Sequence, residues 1–417
     1  MKKSRKLLWM LLSALVVLVL AACGGDDATT DSDVDSDNGT NTAGGSSEEK
    51  RKVVIGGLWD LTGATSDVGA PFAQGVEAYA EYVNMKGIDG LEIELTGRDY
   101  AYSIPEAQKL YQEHRDKAGA EAIIGFGTGD TEALRQQITA DEFPFVSASL
   151  SESLNNIDES PYNFLVAASY SAQGRTLLKW IKDNHEGGEP TVALLYNDTA
   201  FGRSPVEDMK EYAKEIGVKI VDEQVIDVKA TEAQSQLLNM KKKDPDYAII
   251  QQTWAATSTI LRDSKTLGID TKYMGLNWTT GEGLMDNVDA ATAEGFMGIL
   301  LNADPQEDVP GMAEVKEYVE AKGKTLKDID QKFIQGWVTS KIMFEAIKLA
   351  AEQNPKGDIT GSQIRTAMES LNNLDLGGLA PNVTFTPDDH AGTSQIRIGV
   401  VKNGKWEAMT DFISYED

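Results

Sequence analysis

The sequence has few of the side chains that bind metals or form covalent bonds. Of its 417 residues, one is cysteine and three are histidine. A single cysteine excludes an intramolecular disulfide. His114, His185 and His390 lie in separate segments and lack the spacing of a zinc site. We therefore expect no metal ion.

The sequence also lacks the common catalytic and nucleotide-binding motifs. The segment from Gly125 to Asp130 (GFGTGD) has neither the Lys-Ser/Thr ending of a P-loop nor the glycine spacing of a dinucleotide fingerprint. No serine stands in a nucleophile elbow. Carboxylates are plentiful, and nothing in the sequence selects a catalytic pair among them. These observations argue against an enzyme and against a bound cofactor.

Basic side chains are scarce relative to acidic ones. The chain has 39 Lys and Arg against 66 Asp and Glu, which gives a formal net charge of −27 at pH 7. There is no basic patch with interleaved aromatic residues. A body of this charge repels nucleic acid and anionic lipid, so we expect neither as a partner of the globular part.

The only long apolar run lies at the N-terminus, from Leu7 to Ala22, behind a cluster of basic residues. It is shorter than the roughly 20 residues that a membrane-spanning helix needs, and its flanks are those of an export signal. Residues 20–23 (LAAC) resemble the lipobox of bacterial lipoproteins, in which the cysteine is acylated. We predict a signal peptide at residues 1–22 and a lipid on Cys23.

Residues 23–50 have no aromatic side chain and consist mostly of Gly, Ser, Thr, Asp, Asn and Ala. Such a composition cannot bury enough apolar surface to offset the entropy lost on ordering. We predict a disordered tether that lets a globular body, beginning near Arg51, stand clear of the membrane.

The body alternates apolar strand patterns with helix patterns and glycine-rich turns, which predicts an α/β fold with parallel sheets. This alternation of strands and helices runs through residues 51–165 and begins again after them, so we expect two doubly wound lobes. The predicted first lobe comprises residues 51–165 and 303–382, and the second comprises 166–302 and 383–417. Residues 396–401 and 406–409 suggest a closing hairpin.

The segment from Ala122 to Ser151 is the strongest candidate for a binding site in the first lobe. It predicts a buried strand, a glycine-rich loop to Asp130, a helix from Thr131 to Asp141, and a second strand followed by serines. Both loops leave the carboxyl ends of neighbouring strands, where ligands bind in such sheets. The candidates that could hold a carboxylate or carbonyl are Thr128, Gly129, Asp130, Thr131, Ser149 and Ser151. The alternative is that these residues only close turns and cap a helix.

Loops of the second half carry aromatic side chains at the corresponding strand ends. Phe201, Trp254 and Trp278 suit the apolar wall of a small-molecule site. Each has an alternative role in packing within its own lobe. Asn277 precedes Trp278 and is the remaining candidate of this half.

Several short motifs follow one another over residues 53–417, namely Leu61-Thr62-Gly63 with Gly69 and Gly75, Val83-Asn84 before the Gly87–Gly90 turn, Gly125, Phe201-Gly202, and Ala293-Glu294-Gly295-Phe296. In this order they resemble those of type I periplasmic solute-binding proteins of the branched-chain amino acid class, which serve ABC importers. The resemblance implies three crossover segments, near residues 163–168, 300–305 and 380–387, and closure about them as a hinge. It also implies a small-molecule solute, ABC permease and ATPase subunits as partners, and a lipid-anchored protein facing the periplasm or cell exterior. A receptor that reports its ligand to a membrane signalling protein is the alternative function.

The resemblance further implies how an amino acid would bind. The carboxylate loops fall on Thr128–Thr131, Ser149 and Ser151, and the partner of the ammonium falls at about Asn277, which is neutral. A buried ammonium without an acidic partner is costly. Asp130 is an alternative partner, although it stands on the carboxylate side. We therefore expect a solute with a carboxylate or amide head and an apolar body to bind better than the matching amino acid.

The first prediction concerns the membrane anchor. Cys23→Ser should leave the protein unprocessed or unacylated, because the lipid is attached to that sulfur, whereas the wild-type protein should partition with membranes. Mass spectrometry of the mature N-terminus measures this directly. An intact, unlipidated Cys23 in the cell-associated protein would contradict the prediction.

Overall fold

The computed structural model describes residues 50–87 and 90–416. The predicted signal peptide, Cys23 and the predicted tether up to residue 49 lie outside the described residues. The described residues form one compact unit. No helix within residues 50–87 or 90–416 is long and apolar enough to cross a membrane.

The first sheet has five parallel strands in the order β2-β1-β3-β4-β5. Its β3 is buried along its whole length, as expected for a parallel strand covered on both faces. The strands are β1 (Arg51–Trp59), β2 (Leu91–Asp99), β3 (Ala122–Gly125), β4 (Phe145–Ser147) and β5 (Asn163–Phe164).

The second sheet has seven strands in the order β12-β11-β10-β9-β8-β6-β7. They are β6 (Thr191–Tyr196), β7 (Lys219–Val225), β8 (Tyr247–Gln251), β9 (Lys272–Gly275), β10 (Met297–Leu300), β11 (Arg397–Lys402) and β12 (Lys405–Ala408). The pairings β10–β11 and β11–β12 are antiparallel, and the other pairings are parallel. The predicted α/β class with parallel sheets is confirmed, and so is the closing hairpin.

Helices connect the strands of both sheets. They are α1 (Ser66–Lys86), α2 (Ile104–Glu113), α3 (Thr128–Asp141), α4 (Tyr170–Asn184), α5 (Ala200–Arg203), α6 (Val206–Ile216), α7 (Gln234–Lys241), α8 (Trp254–Thr266), α9 (Glu282–Met285), α10 (Ala290–Ala293), α11 (Met312–Ala321), α12 (Gln331–Gln353) and α13 (Gly361–Met368). Short 3-10 turns lie at Glu152–Asn155, Asn277–Thr279 and Leu326–Asp328, and a π-helical turn lies at His114–Ala118.

Proline is favoured at the first position of a helix, so the sequence predicts that α1 begins at Pro71, and it predicts that α3 begins at Thr131. Both helices begin earlier. α1 starts at Ser66, where the Thr65 carbonyl accepts hydrogen bonds from Val68 and Gly69, so Pro71 lies inside the helix and not at its start. The proline removes one intrahelical hydrogen bond there. α3 starts at Thr128, which converts much of the predicted glycine-rich loop into a helical turn.

α1 and α12 pack with their backbones in contact. A Cβ built on Gly75 would lie 1.9 Å from the Phe333 carbonyl oxygen, and one on Gly336 would lie 2.0 Å from that of Phe72. Glycine is therefore required at both crossing points. This close approach brings Phe72 of α1 and the start of α12 toward the loops of the second sheet.

The three predicted crossover segments lie side by side. All three line one small cavity. The Leu165 N–H donates to the His390 carbonyl over 2.9 Å, and the Ala303 N–H donates to the Leu379 carbonyl over 2.9 Å. The chain leaves the first sheet after β5 and rejoins the second sheet at β11. The exact lobe limits stay a prediction.

Candidate functional site

Loops from both sheets meet around one cavity at the carboxyl ends of their strands. The cavity is narrow, with a volume of about 10 Å³, so its walls stand close together. The lining residues are Thr65, Val68, Tyr102, Phe126, Gly127, Thr128, Tyr170, Phe201, Thr253 and Trp278. Of the residues singled out in the sequence, Thr128, Phe201 and Trp278 therefore share this cavity.

One side of the cavity carries a hydroxyl network. Thr128 Oγ1 and Ser149 Oγ are 2.7 Å apart, and the Tyr170 hydroxyl accepts a hydrogen bond from Trp278 Nε1 over 2.8 Å. Burial raises the pKa of Tyr170 to about 12, so the phenol stays neutral near pH 7. Neutral hydroxyls both donate and accept hydrogen bonds, which suits them to a carboxylate or an amide.

The other side of the cavity is aromatic. The Trp278 ring packs edge-on against Phe126, with centroids 5.5 Å apart, and against Phe72, with centroids 6.3 Å apart. Phe201 packs edge-on against Tyr170 at 5.5 Å. Rings in this geometry form a stable apolar wall. The cavity thus has a polar end and an apolar end.

Asp130 lies behind the hydroxyl side and does not line the cavity. Its Oδ1 accepts a hydrogen bond from the Tyr100 hydroxyl over 3.0 Å, and its Oδ2 has no partner among the described residues. Burial raises the pKa of Asp130 from 3.8 to about 6. A Cβ on Gly127 would lie 2.1 Å from Asp130 Oδ1. Only the backbone of this glycine therefore lies between the carboxylate and the cavity.

A buried lysine stands behind the aromatic wall. Lys332, the second residue of α12, is 3% exposed, and its Nζ donates to the Asn277 carbonyl over 2.6 Å. The ammonium lies 5.4 Å from the ring centroid of Trp278 and 5.9 Å from that of Trp254. Burial lowers the pKa of Lys332 to about 8, partly offset by the negative charges of Asp330 and Glu282. The side chain is therefore a cation near pH 7.

Asn277 and Trp254 are placed outside the cavity lining. The Asn277 N–H donates to Gln173 Oε1 over 3.0 Å, and its side-chain amide is buried without a partner among the described residues. Trp254 is the first residue of α8, and its Nε1 donates to the Thr280 carbonyl over 2.7 Å. The indole therefore lies beside Lys332 and contributes to the layer behind the wall.

The remaining residues predicted for the hydroxyl side make structural contacts. Thr131 Oγ1 donates to the Gly127 carbonyl over 2.6 Å and lies 3.0 Å from Ser147 Oγ. Ser151 Oγ accepts a hydrogen bond from Ser204 over 2.9 Å, which joins the first-sheet loops to the segment after α5. A Cβ built on Gly129 would lie 3.7 Å from the Ala200 Cβ, so α3 approaches α5 closely there. Solute binding by these residues stays a prediction.

Five lining residues lie outside the segments and candidates singled out in the sequence, namely Thr65, Val68, Tyr102, Tyr170 and Thr253. Thr65, Tyr102 and Thr253 follow β1, β2 and β8, so the rule that ligands bind beyond strand ends would have found them. Tyr170 begins α4 after the chain leaves the first sheet, and its position depends on the tertiary fold. Among the described residues, no group of three or more His, Cys, Asp or Glu side chains is arranged to hold a metal ion.

Comparison with known proteins identifies the family. Residues 52–405 match a family model described as periplasmic binding protein. The chain belongs to this family. The resemblance drawn from the sequence motifs is thereby confirmed, and with it the fold of two sheets. A search of curated proteins found no match.

Solved structures of similar proteins extend this result. A branched-chain amino acid ABC transporter protein from Thermus thermophilus with bound valine is 28% identical, with a TM-score of 0.82, over 87% of this chain and 97% of that one. An ABC transporter substrate-binding protein from Aeropyrum pernix is 29% identical, with a TM-score of 0.80, over 87% and 96%. A fatty acid ABC transporter substrate-binding protein from Thermomonospora curvata shares the fold at 20% identity, with a TM-score of 0.77, over 87% and 92%. These relatives are solute-binding proteins.

The second prediction concerns the buried carboxyl of Asp130. Folding raises the pKa of Asp130 from 3.8 to about 6, so ionising this carboxyl destabilises the folded state. The free energy of unfolding therefore falls as pH rises from about 4 to about 6, and it stays low above pH 6. Asp130→Asn keeps an acceptor for Tyr100 and removes this cost. We expect the variant to be more stable at pH 7.5 by on the order of 2 kcal/mol, with no gain at pH 4. Urea unfolding at both pH values measures the difference.

The matched control for this prediction is Asp158→Asn, which removes an exposed carboxyl. It should leave the stability unchanged at both pH values. A loss of stability in Asp130→Asn at pH 7.5 would contradict the account, since it would mean that the ionised carboxylate has a stabilising partner.

Proposed function

We propose that this protein is the extracytoplasmic solute-binding component of an ABC importer and that it captures its solute in the cavity between the two sets of loops. The observation that carries the proposal is the composition of that cavity, which takes hydroxyls and aromatic rings from loops of both sheets. Two relatives above 25% identity are named as ABC transporter proteins, one of them with bound valine. Membership of the periplasmic binding protein family supports a position outside the cytoplasmic membrane.

Capture proceeds by closure of the two lobes. Contacts that join the loops of the two sheets support this step, because they can form only when the loops are together. The Ala255 N–H donates to Asp67 Oδ2 over 2.8 Å, and Ser204 donates to Ser151. The narrow cavity has to widen for a solute to enter, and motion about the three adjacent crossover segments is the hinge type of movement that provides this.

The solute has a carboxylate or amide head and a small apolar body. None of the ten lining residues is acidic, so an ammonium group in the cavity would have no carboxylate in contact. Lys332 adds a positive charge behind the Trp278 ring. A unit charge acting across one aromatic ring contributes on the order of 1–2 kcal/mol at the dielectric typical of proteins. Both features favour an anion over a zwitterion.

A lipid on Cys23 holds the protein at the membrane, next to the permease and ATPase that accept the solute. This residue lies outside the described part of the chain, so the proposal rests on the residues of the LAAC segment. The acidic body keeps the protein from adhering to anionic lipid.

The third prediction tests the solute class with a matched pair of compounds. 4-Methylpentanoate and leucine differ only in the α-ammonium group. We expect the acid to bind at least about tenfold more tightly, because leucine would bury an unpaired ammonium. Lys332→Met should weaken binding of the acid by about tenfold. It should thereby reduce the preference for 4-methylpentanoate over leucine. Calorimetric titration measures both effects.

The control is Lys341→Met, which makes the same substitution on the same helix at a lysine paired with Glu314 over 2.7 Å. It should leave both affinities unchanged. Tighter binding of leucine than of 4-methylpentanoate by the wild-type protein would overturn the proposed solute class. It would also point to an acidic partner, with Asp130 the first residue to test.

A further inference from the structure

The helix α8, on the side of the second sheet, begins without a side-chain cap of its own. Its N-cap residue, Thr253, makes no capping hydrogen bond. The first N–H groups of a helix have no acceptor within the helix. One of them, the N–H of Ala255, donates to Asp67 Oδ2 over 2.8 Å. Asp67 lies in the first turn of α1, which follows β1 of the first sheet, so this cap comes from the opposite side.

The helix α12 shows the same arrangement in the reverse direction. It packs on α1 and so lies on the side of the first sheet. Its N-cap residue, Asp330, accepts hydrogen bonds from the second and third N–H groups of the helix. The first N–H group, that of Gln331, donates to Glu282 Oε2 over 2.9 Å. Glu282 is the first residue of α9, which follows β9 of the second sheet, so this cap also comes from the opposite side.

Both carboxyl groups can accept these hydrogen bonds at neutral pH. Burial raises the pKa of Asp67 above its usual value. Burial, together with the charge of Asp304, raises the pKa of Glu282 to about 8. A carboxyl group that takes up a proton keeps the capacity to accept a hydrogen bond. The two caps therefore do not require one particular ionisation state.

Separation of the two sets of loops would break both caps together. The N–H groups of Ala255 and Gln331 would then lose the acceptors that they have in this structure. Removal of a cap at a helix start typically changes a conformational equilibrium severalfold. Each side of the protein thus contributes one carboxyl group that favours the closed form.

We propose that Asp67 and Glu282 form a reciprocal latch, made of the Asp67–Ala255 and Glu282–Gln331 hydrogen bonds, that sets the fraction of closed molecules. This inference rests on the closure proposed above and names the side chains that hold the closed form. Neither carboxyl lines the solute cavity. The latch therefore changes the affinity for every solute by the same factor and does not select among solutes.

The test measures closure without a solute, through a pair of reporter positions on other elements. The hydroxyl oxygens of Ser151 and Ser204 lie 2.9 Å apart, so thiols placed there meet only when the loops are together. In the full chain carrying Ser151→Cys and Ser204→Cys, the initial rate of disulfide formation with diamide follows the closed fraction. Peptide mass spectrometry counts only the disulfide between positions 151 and 204, so Cys23 does not contribute.

Asp67→Ala in this background should slow formation of the disulfide at least about threefold, because it removes the cap of α8. Glu282→Ala should slow it similarly through α12, and the double variant should be slower than either. The matched control is Glu106→Ala, which removes a carboxyl from the first turn of α2, where it pairs with Lys109 over 2.7 Å. The control should leave the rate unchanged.

Circular dichroism shows which variants fold, and if one single variant does not fold, the other decides. An unchanged rate in a folded single variant would overturn the latch. Equal slowing by Glu106→Ala would also overturn it, since the loss of any carboxyl from a first turn would then have the same effect. Because no solute is present, a result against the latch is distinct from a result against the proposed solute class.

Discussion

The arrangement of the site depends on how Trp278 packs between the loops of the two sheets. Its ring follows β9 of the second sheet and lies against Phe72 and Phe126, which come from the first-sheet side. Its Nε1 donates to Tyr170, and the Lys332 ammonium lies 5.4 Å from its ring centroid. One buried indole thus joins the hydroxyl side, the aromatic wall and the buried cation. Because a large aromatic surface is desolvated only when the loops are together, the closure that we propose would also form the site.

Much of the fold could be predicted from the sequence, because the core strands are short, continuous apolar runs. β3 and β8 are examples, and both are fully buried. The starts of helices were harder to place. Pro71 suggested the first turn of α1, but the Thr65 carbonyl starts that helix earlier, and the helix tolerates the loss of one hydrogen bond. Tertiary packing against α12 outweighs this local preference.

The site was only partly predictable, for a geometric reason. Position beyond a strand end selected Thr128, Phe201 and Trp278, which line the cavity, but such a position does not fix where a side chain points. Trp254 follows β8 closely, yet as the first residue of α8 it turns toward the Thr280 carbonyl. Lys332 could not be found at all, because it lies 55 residues from Asn277 in sequence and meets it only through the packing of α12. The position of the Lys332 ammonium behind the aromatic side of the cavity therefore depends on the tertiary fold.

In the mechanism that we propose, the two sets of loops close on a solute. Small-angle X-ray scattering of the full chain, with and without saturating 4-methylpentanoate, measures this most directly. We expect a smaller radius of gyration with the solute, because the contacts between Asp67 and Ala255 and between Ser151 and Ser204 then form in most molecules. An unchanged or larger radius of gyration at a saturation verified by calorimetry would contradict it.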